Sequence, residues 1–151
     1  MEARMKNPAF VVPGAMDALQ ALGAVLKNGS VDASTLAMAE LRASQVNGCS
    51  LCVDLHSREL RKEGESDERV FGVGAWRESP YFSDAERAAL ALAEALTRLS
   101  DTPDAVNDAL WDEVCRHFDE PARATLLMAI ASVNLWNRLN AATHQPAGLT
   151  W

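Results

Sequence analysis

The chain has 151 residues, 48% of them hydrophobic, and a formal net charge of −7 at pH 7. That length suits one ordinary domain with a genuine core, so residues 1–151 are expected to form a single domain. The acidic balance and the lack of a basic cluster exclude the phosphate-neutralising surfaces on which DNA and RNA binding depends.

The start, Met1 to Met16, carries Glu2, Arg4 and Lys6 and then only the short apolar stretch Ala9 to Val12 before Pro13. It has no secretory-signal pattern. The most apolar run, Leu126 to Ala131, falls far short of the ~18 apolar residues of a membrane span. A cytoplasmic protein without a membrane partner is expected, and in a reducing compartment a C-x-x-C pair points to redox, catalytic or metal chemistry.

The first predicted helix, Met16 to Lys27, carries Leu19, Leu22 and Leu26 and stops at Asn28-Gly29. The second opens at Asp32, a good cap, and presents Leu36, Ala39, Ala43 and Val46 before Asn47-Gly48 ends it. A third then starts at about Cys49 and runs to Gly64, with Arg58, Arg61 and Lys62 at its C-terminal end. Glu65 to Tyr81 reads as a short helix followed by a loop. Ser83-Asp84-Ala85-Glu86 is a capping box that opens a helix striped by Ala89, Leu92, Ala93, Leu96 and Leu99. Thr102-Pro103 predicts a cap and first-turn proline for a helix through His117, with Val106, Leu110 and Val114 on one side. Pro121 opens the last long helix, whose segment Leu126 to Val133 is apolar nearly all round and suits the centre of a bundle or a subunit contact. With no period-two pattern anywhere, the expected architecture is an all-α, single-domain helical bundle.

The chemistry concentrates in Cys49-Ser50-Leu51-Cys52-Val53-Asp54-Leu55-His56, which on a helix places two thiols and an imidazole on neighbouring turns of one face. A helix N-terminus favours thiolate over thiol, and His56, one turn beyond Cys52, can exchange a proton with it. Cys52 is therefore the candidate for first attack on a peroxide. Cys49 is the candidate resolving partner, because residues at i and i+3 lie within disulfide reach. Two other readings compete: the cysteines as small core residues, and a zinc site recruiting Cys115 and His117, whose C-x-H spacing is unusual. Cys115 otherwise reads as packing. His144 sits in the polar tail Thr143 to Trp151 without a partner in the pattern. Trp76, Trp111 and Trp136 either bury against helices or line a cleft.

Leu41 to His56 resembles the core motif of the alkylhydroperoxidase D-like, or carboxymuconolactone decarboxylase, family. Trp76 to Leu90 is similar to the segment that follows in its cysteine-bearing branch, and Asn134-Leu135-Trp136-Asn137-Arg138-Leu139-Asn140 adds to the likeness. The resemblance implies an all-helical fold, homo-oligomers such as trimers or hexamers, and peroxidase activity through a cycling disulfide recharged by a dithiol electron donor. By that resemblance Cys52 reacts with peroxide, Cys49 resolves it and His56 belongs to a proton relay; no cofactor and no metal are expected.

The chain departs from the family pattern twice. Ala37 stands where the relay glutamate is expected, twelve residues before the first cysteine, and Leu51 stands where a histidine precedes the second. Glu40, one turn beyond Ala37, is the substitute relay candidate, although a solvated charge on a helix face is the plainer reading of it. Loss of the relay base predicts slowed rather than abolished peroxidase activity. The alternatives are a carboxymuconolactone decarboxylase-like enzyme, a branch that does not need the cysteine pair, and a non-catalytic redox-sensing oligomer.

Overall fold

The computed structural model describes residues 2–149; Met1 and the last two residues of the polar tail, Thr150 and Trp151, lie outside it. The described residues contain helices α1 (Pro8–Val11), α2 (Ala15–Lys27), α3 (Ala33–Asn47), α4 (Ser50–Lys62), α5 (Asp67–Gly72), α6 (Asp84–Thr97), α7 (Asp108–His117) and α8 (Glu120–Thr143), with one 3-10 turn at Val73–Ala75 and no strand. None of these helices is long and apolar enough to cross a membrane.

Local chemistry explains most of the boundaries. Asp32 caps α3 by accepting from the Thr35 N–H at 2.8 Å. Ser83 and Glu86 close the capping box of α6 reciprocally, at 3.3 and 2.7 Å. Two elements differ from the sequence reading. Asn7 and Pro8 act as N-cap and first-turn proline for the extra helix α1, where only an apolar stretch was expected. The helix expected from Thr102-Pro103 instead starts at Asp108: Asp104 adopts φ 55°, which breaks any helix there, and Asn107 supplies the cap, accepting from Leu110 at 3.0 Å.

The central helix is α3, packed against α4, α6 and α8. Its small side chains Ala39, Ala43 and Ser44 are fully buried and let its neighbours approach closely. One core cluster joins α3, α6, α7 and α8 through Leu36, Leu92, Val114, Leu126 and Ile130. A second, around Met38, Leu41, Leu60, Trp76 and Leu90, seats α4, α5 and the 3-10 turn. The last helix buries only one face, and Met128 and Leu135 remain 48% and 40% exposed beside Leu99.

The loop between the 3-10 turn and α6 is held by charge. Glu94, 6% exposed, accepts from Arg42 Nε at 2.6 Å and from Trp76 Nε1 at 3.0 Å, and pairs with Arg77. The Arg87 guanidinium meanwhile donates to the carbonyls of Trp76, Arg77, Ser79 and Phe82. Truncating Glu94 removes the counter-charge of the half-buried Arg42, which keeps only the Gln45 amide oxygen and the Gly74 carbonyl, and leaves the buried indole N–H without its acceptor. Glu94→Ala is therefore expected to lower unfolding stability by about 3 kcal/mol in chemical denaturation, whereas loss of the exposed Arg77 should cost under ~1 kcal/mol.

Candidate functional site

The Asn-Gly-Cys sequence works as a hinge between two helices. Gly48, at φ 67°, takes the left-handed conformation that ends α3. The Gly48 N–H then reaches the Gln45 carbonyl at 3.2 Å and the Cys49 N–H reaches that of Ser44 at 3.1 Å. This places Cys49 outside α3 and at the N-cap of α4, where its Sγ accepts from the Cys52 N–H at 3.4 Å. Cys52 follows in the first turn. The two sulfurs form a disulfide with the Cα atoms 5.4 Å apart, and both residues are 2% exposed.

The two sulfurs have different surroundings. Cys49 meets the helix N-terminus, where backbone N–H groups and the helix dipole stabilise negative charge. Cys52 instead borders a cavity of about 620 Å³ between α2, α3, α4 and α8. His56, Glu40, Glu59, Lys27 and Trp136 line the same cavity. Asn140, buried on α8, donates from Nδ2 to Cys52 Sγ at 3.3 Å.

His56 Nδ1 faces two carboxylates, Glu59 Oε2 at 3.3 Å and Glu40 Oε2 at 3.6 Å. Glu59, held ionised, can only accept, which favours the tautomer with the proton on Nδ1 and the lone pair on Nε2. The two carboxyls are tuned in opposite directions. Burial raises Glu40, and the neighbouring charge of Glu59 adds to this while His56 and Lys27 oppose it. Glu59 is lowered to about 2, chiefly by its hydrogen bond with His56, which together with the Lys27 hydrogen bond outweighs burial. Lys27 is raised, first by that same bond to Glu59.

The structure gathers Cys49, Cys52, His56 and Glu40 at one place. Glu40 is not a solvated surface charge: its side chain is 17% exposed and turned toward His56. Ala37 and Leu51, the two departures from the family pattern, are buried in apolar packing. Among the described residues, Glu40, His56 and Glu59 are the one group of three potential metal ligands. The Lys27 ammonium already pairs with Glu59 there, and Cys115 and His117 take no part in the group; His117 pairs with Glu113 on its own helix at 2.9 Å. Cys115 is a free, half-buried thiol, and His144 forms the left-handed cap of α8. Of the tryptophans, Trp76 is buried, Trp111 is 36% exposed and Trp136 lines the cavity.

Sequence reasoning missed Lys27, Glu59 and Asn140. Glu59 lies three residues after His56, so helical spacing alone could have found it. Nothing local marks Lys27, and Asn140 shows only as the last residue of the stretch Asn134 to Asn140 that adds to the family likeness.

The sequence profile of the Carboxymuconolactone decarboxylase family matches residues 13–95. The uncharacterized protein YdfG of Bacillus subtilis is 33% identical over 132 residues, covering 87% of this chain and 88% of its own. Alkyl hydroperoxide reductase AhpD of Maricaulis maris is 41% identical over 46 residues, 30% of this chain and 27% of its own. A crystal structure from Agrobacterium tumefaciens, described as a protein of unknown function and a candidate antioxidant defence protein AhpD, superposes with a TM-score of 0.90. It is 30% identical and covers 99% of this chain and all of its own. With the helical fold, the paired cysteines and a profile match over more than half its length, the chain belongs to the carboxymuconolactone decarboxylase family, in its AhpD-like form.

Proposed function

We propose that the protein is a thiol-dependent peroxidase in which Cys52 attacks, Cys49 resolves, and His56 with Glu40 moves the proton. The observation that carries this reading is a disulfide whose second sulfur alone borders a cavity shared with an imidazole between two carboxylates. The Cys52 thiolate attacks the distal oxygen of a hydroperoxide and the O–O bond breaks. The departing alkoxide takes a proton from His56, leaving an alcohol and a Cys52 sulfenic acid. The Cys49 sulfur then attacks that of Cys52; hydroxide leaves and is protonated to water as the disulfide forms.

Recharging follows from the asymmetry of the pair. A donor thiolate attacks the cavity-side sulfur of Cys52, and Cys49 departs as a thiolate held by the Cys52 N–H, since the better-stabilised thiolate leaves faster. The donor's second thiol closes its own disulfide and frees Cys52. One hydroperoxide and one dithiol thus become alcohol, water and a disulfide. Glu40, raised by burial, is the base that draws the proton through Nδ1 of His56, in place of the relay glutamate absent at Ala37.

The exposed apolar face of α6 and α8, around Leu99, Met128 and Leu135, supports self-association as a trimer or hexamer. Both parts of the proposal are tested on one preparation. Reduced protein treated with one equivalent of hydroperoxide should yield a Cys49–Cys52 disulfide peptide by mass spectrometry, and light scattering should return a trimeric or hexameric mass. Thiols still reduced under excess peroxide would end the peroxidase reading, and a persistent monomer at micromolar concentration would end the oligomer.

A further inference from the structure

The Cys52 sulfur has a hydrogen-bond donor whose direction is set from the other end of the chain. Asn140 Nδ2 donates to Cys52 Sγ at 3.3 Å, while its Oδ1 accepts from Asn7 Nδ2 at 2.7 Å. Asn7 cannot turn around, because its own Oδ1 accepts the Ala9 N–H at 2.9 Å as the N-cap of α1. A backbone N–H therefore fixes the polarity of Asn7, Asn7 fixes that of Asn140, and the amide presents N–H rather than oxygen to the sulfur. Both asparagines are buried, at 2% and 3% exposure, so water does not compete with the arrangement.

The N-terminal segment is strapped down where this matters. Arg4 donates from its backbone N–H to the Thr143 carbonyl at 2.9 Å and from Nη1 to that of Ala142 at 3.1 Å, and Gln145 Nε2 donates to the Met5 carbonyl at 2.9 Å. These bonds hold Asn7 against the C-terminal end of α8. Asn7 and Asn140 both lie outside the span that matches the family profile.

We infer that Asn140 is a catalytic residue that stabilises the Cys52 thiolate through its amide N–H, and that Asn7 is the positioning residue that orients it. The inference rests on the redox reading of Cys52 but not on peroxide as the substrate. A sulfur that accepts an N–H bond in the anionic state favours thiolate over thiol. It draws on a donor the helix N-terminus does not provide, since the Cys52 N–H is engaged by Cys49.

The test is the pH dependence of iodoacetamide alkylation at Cys52, read from its peptide by mass spectrometry in the reduced full-length protein, with Cys115 as internal control. Asn140→Leu removes the donor. Asn7→Asp keeps an oxygen to cap α1 but replaces the Nδ2 donor with a second acceptor, so the Asn140 amide turns and offers its oxygen to the sulfur. Both variants are expected to raise the Cys52 thiol pKa by about one unit, a tenfold loss of thiolate at a given pH below it, with Cys115 unmoved. Profiles superimposing on the wild type in both variants would overturn the inference, and a shift in Asn140→Leu alone would overturn the role of Asn7. A wild type that consumes no peroxide yet shows both shifts contradicts the peroxidase proposal and supports this one.

Discussion

Cys52→Ser is expected to abolish hydroperoxide consumption, lowering the rate by more than about 10³-fold, because a serine hydroxyl in the same place supplies no thiolate nucleophile. Cys49→Ser should behave differently. Serine is a good N-cap, so α4 keeps its first turn, and Cys52 still reacts with one equivalent of peroxide. Without the resolving sulfur the reaction then stops, and Cys52 is recovered as an oxidised acid or as a mixed disulfide with an added thiol. A peroxide titration monitored by consumption and by the mass of the Cys52 peptide separates the roles. Equal loss of the first turnover in both variants would contradict the assignment of attack to Cys52.

Glu40→Gln is expected to slow turnover by about 10- to 100-fold at neutral pH while leaving the fold as stable as, or more stable than, the wild type. The opposite signs follow from the raised Glu40 carboxyl. A group whose pKa is higher in the folded than in the unfolded state stabilises the fold below the unfolded value and loses that contribution as pH rises through the folded one. In its ionised form the buried Glu40 is therefore a cost to the fold, which glutamine relieves. Glu59 is the reverse case: held down to about 2, it contributes stability above the ordinary carboxylate range and loses it as pH falls toward that value. Glu59→Gln should thus lower the melting temperature at pH 7, and the difference from wild type should be smaller at pH 3, where part of the Glu59 contribution has been lost. Melting curves at pH 3 and 7 with rates across the neutral range decide the matter; a Glu40→Gln protein with wild-type turnover would remove Glu40 from the relay.

The carboxylate at Glu40 also illuminates the departure at Ala37. One turn along α3 separates them, and the Ala37 side is filled by apolar packing with Met38 and Leu41. On α3 the acid thus comes from a different turn, and Nδ1 of His56 meets it together with Glu59 from its own helix. Two carboxylates, Glu40 and Glu59, thus face the imidazole, and Lys27 pairs with Glu59 behind them.

What the sequence determined by itself is what short-range chemistry determines. The cap at Asp32, the capping box at Ser83, the left-handed Gly48 and the i, i+3 spacing of Cys49 and Cys52 depend on residues within about a turn of one another, and they reappear in the structure. The same reasoning misplaced the start of α7, because the left-handed Asp104 is not announced by the favourable Thr102-Pro103 pair. Only the tertiary structure decided what surrounds the sulfur. Lys27 meets Glu59 across 32 residues, Asn140 meets Cys52 across 88, and Asn7 meets Asn140 across 133. Those partners are selected by how α1, α2, α4 and α8 pack, a property of buried faces and enclosed volume that has no local period to be read.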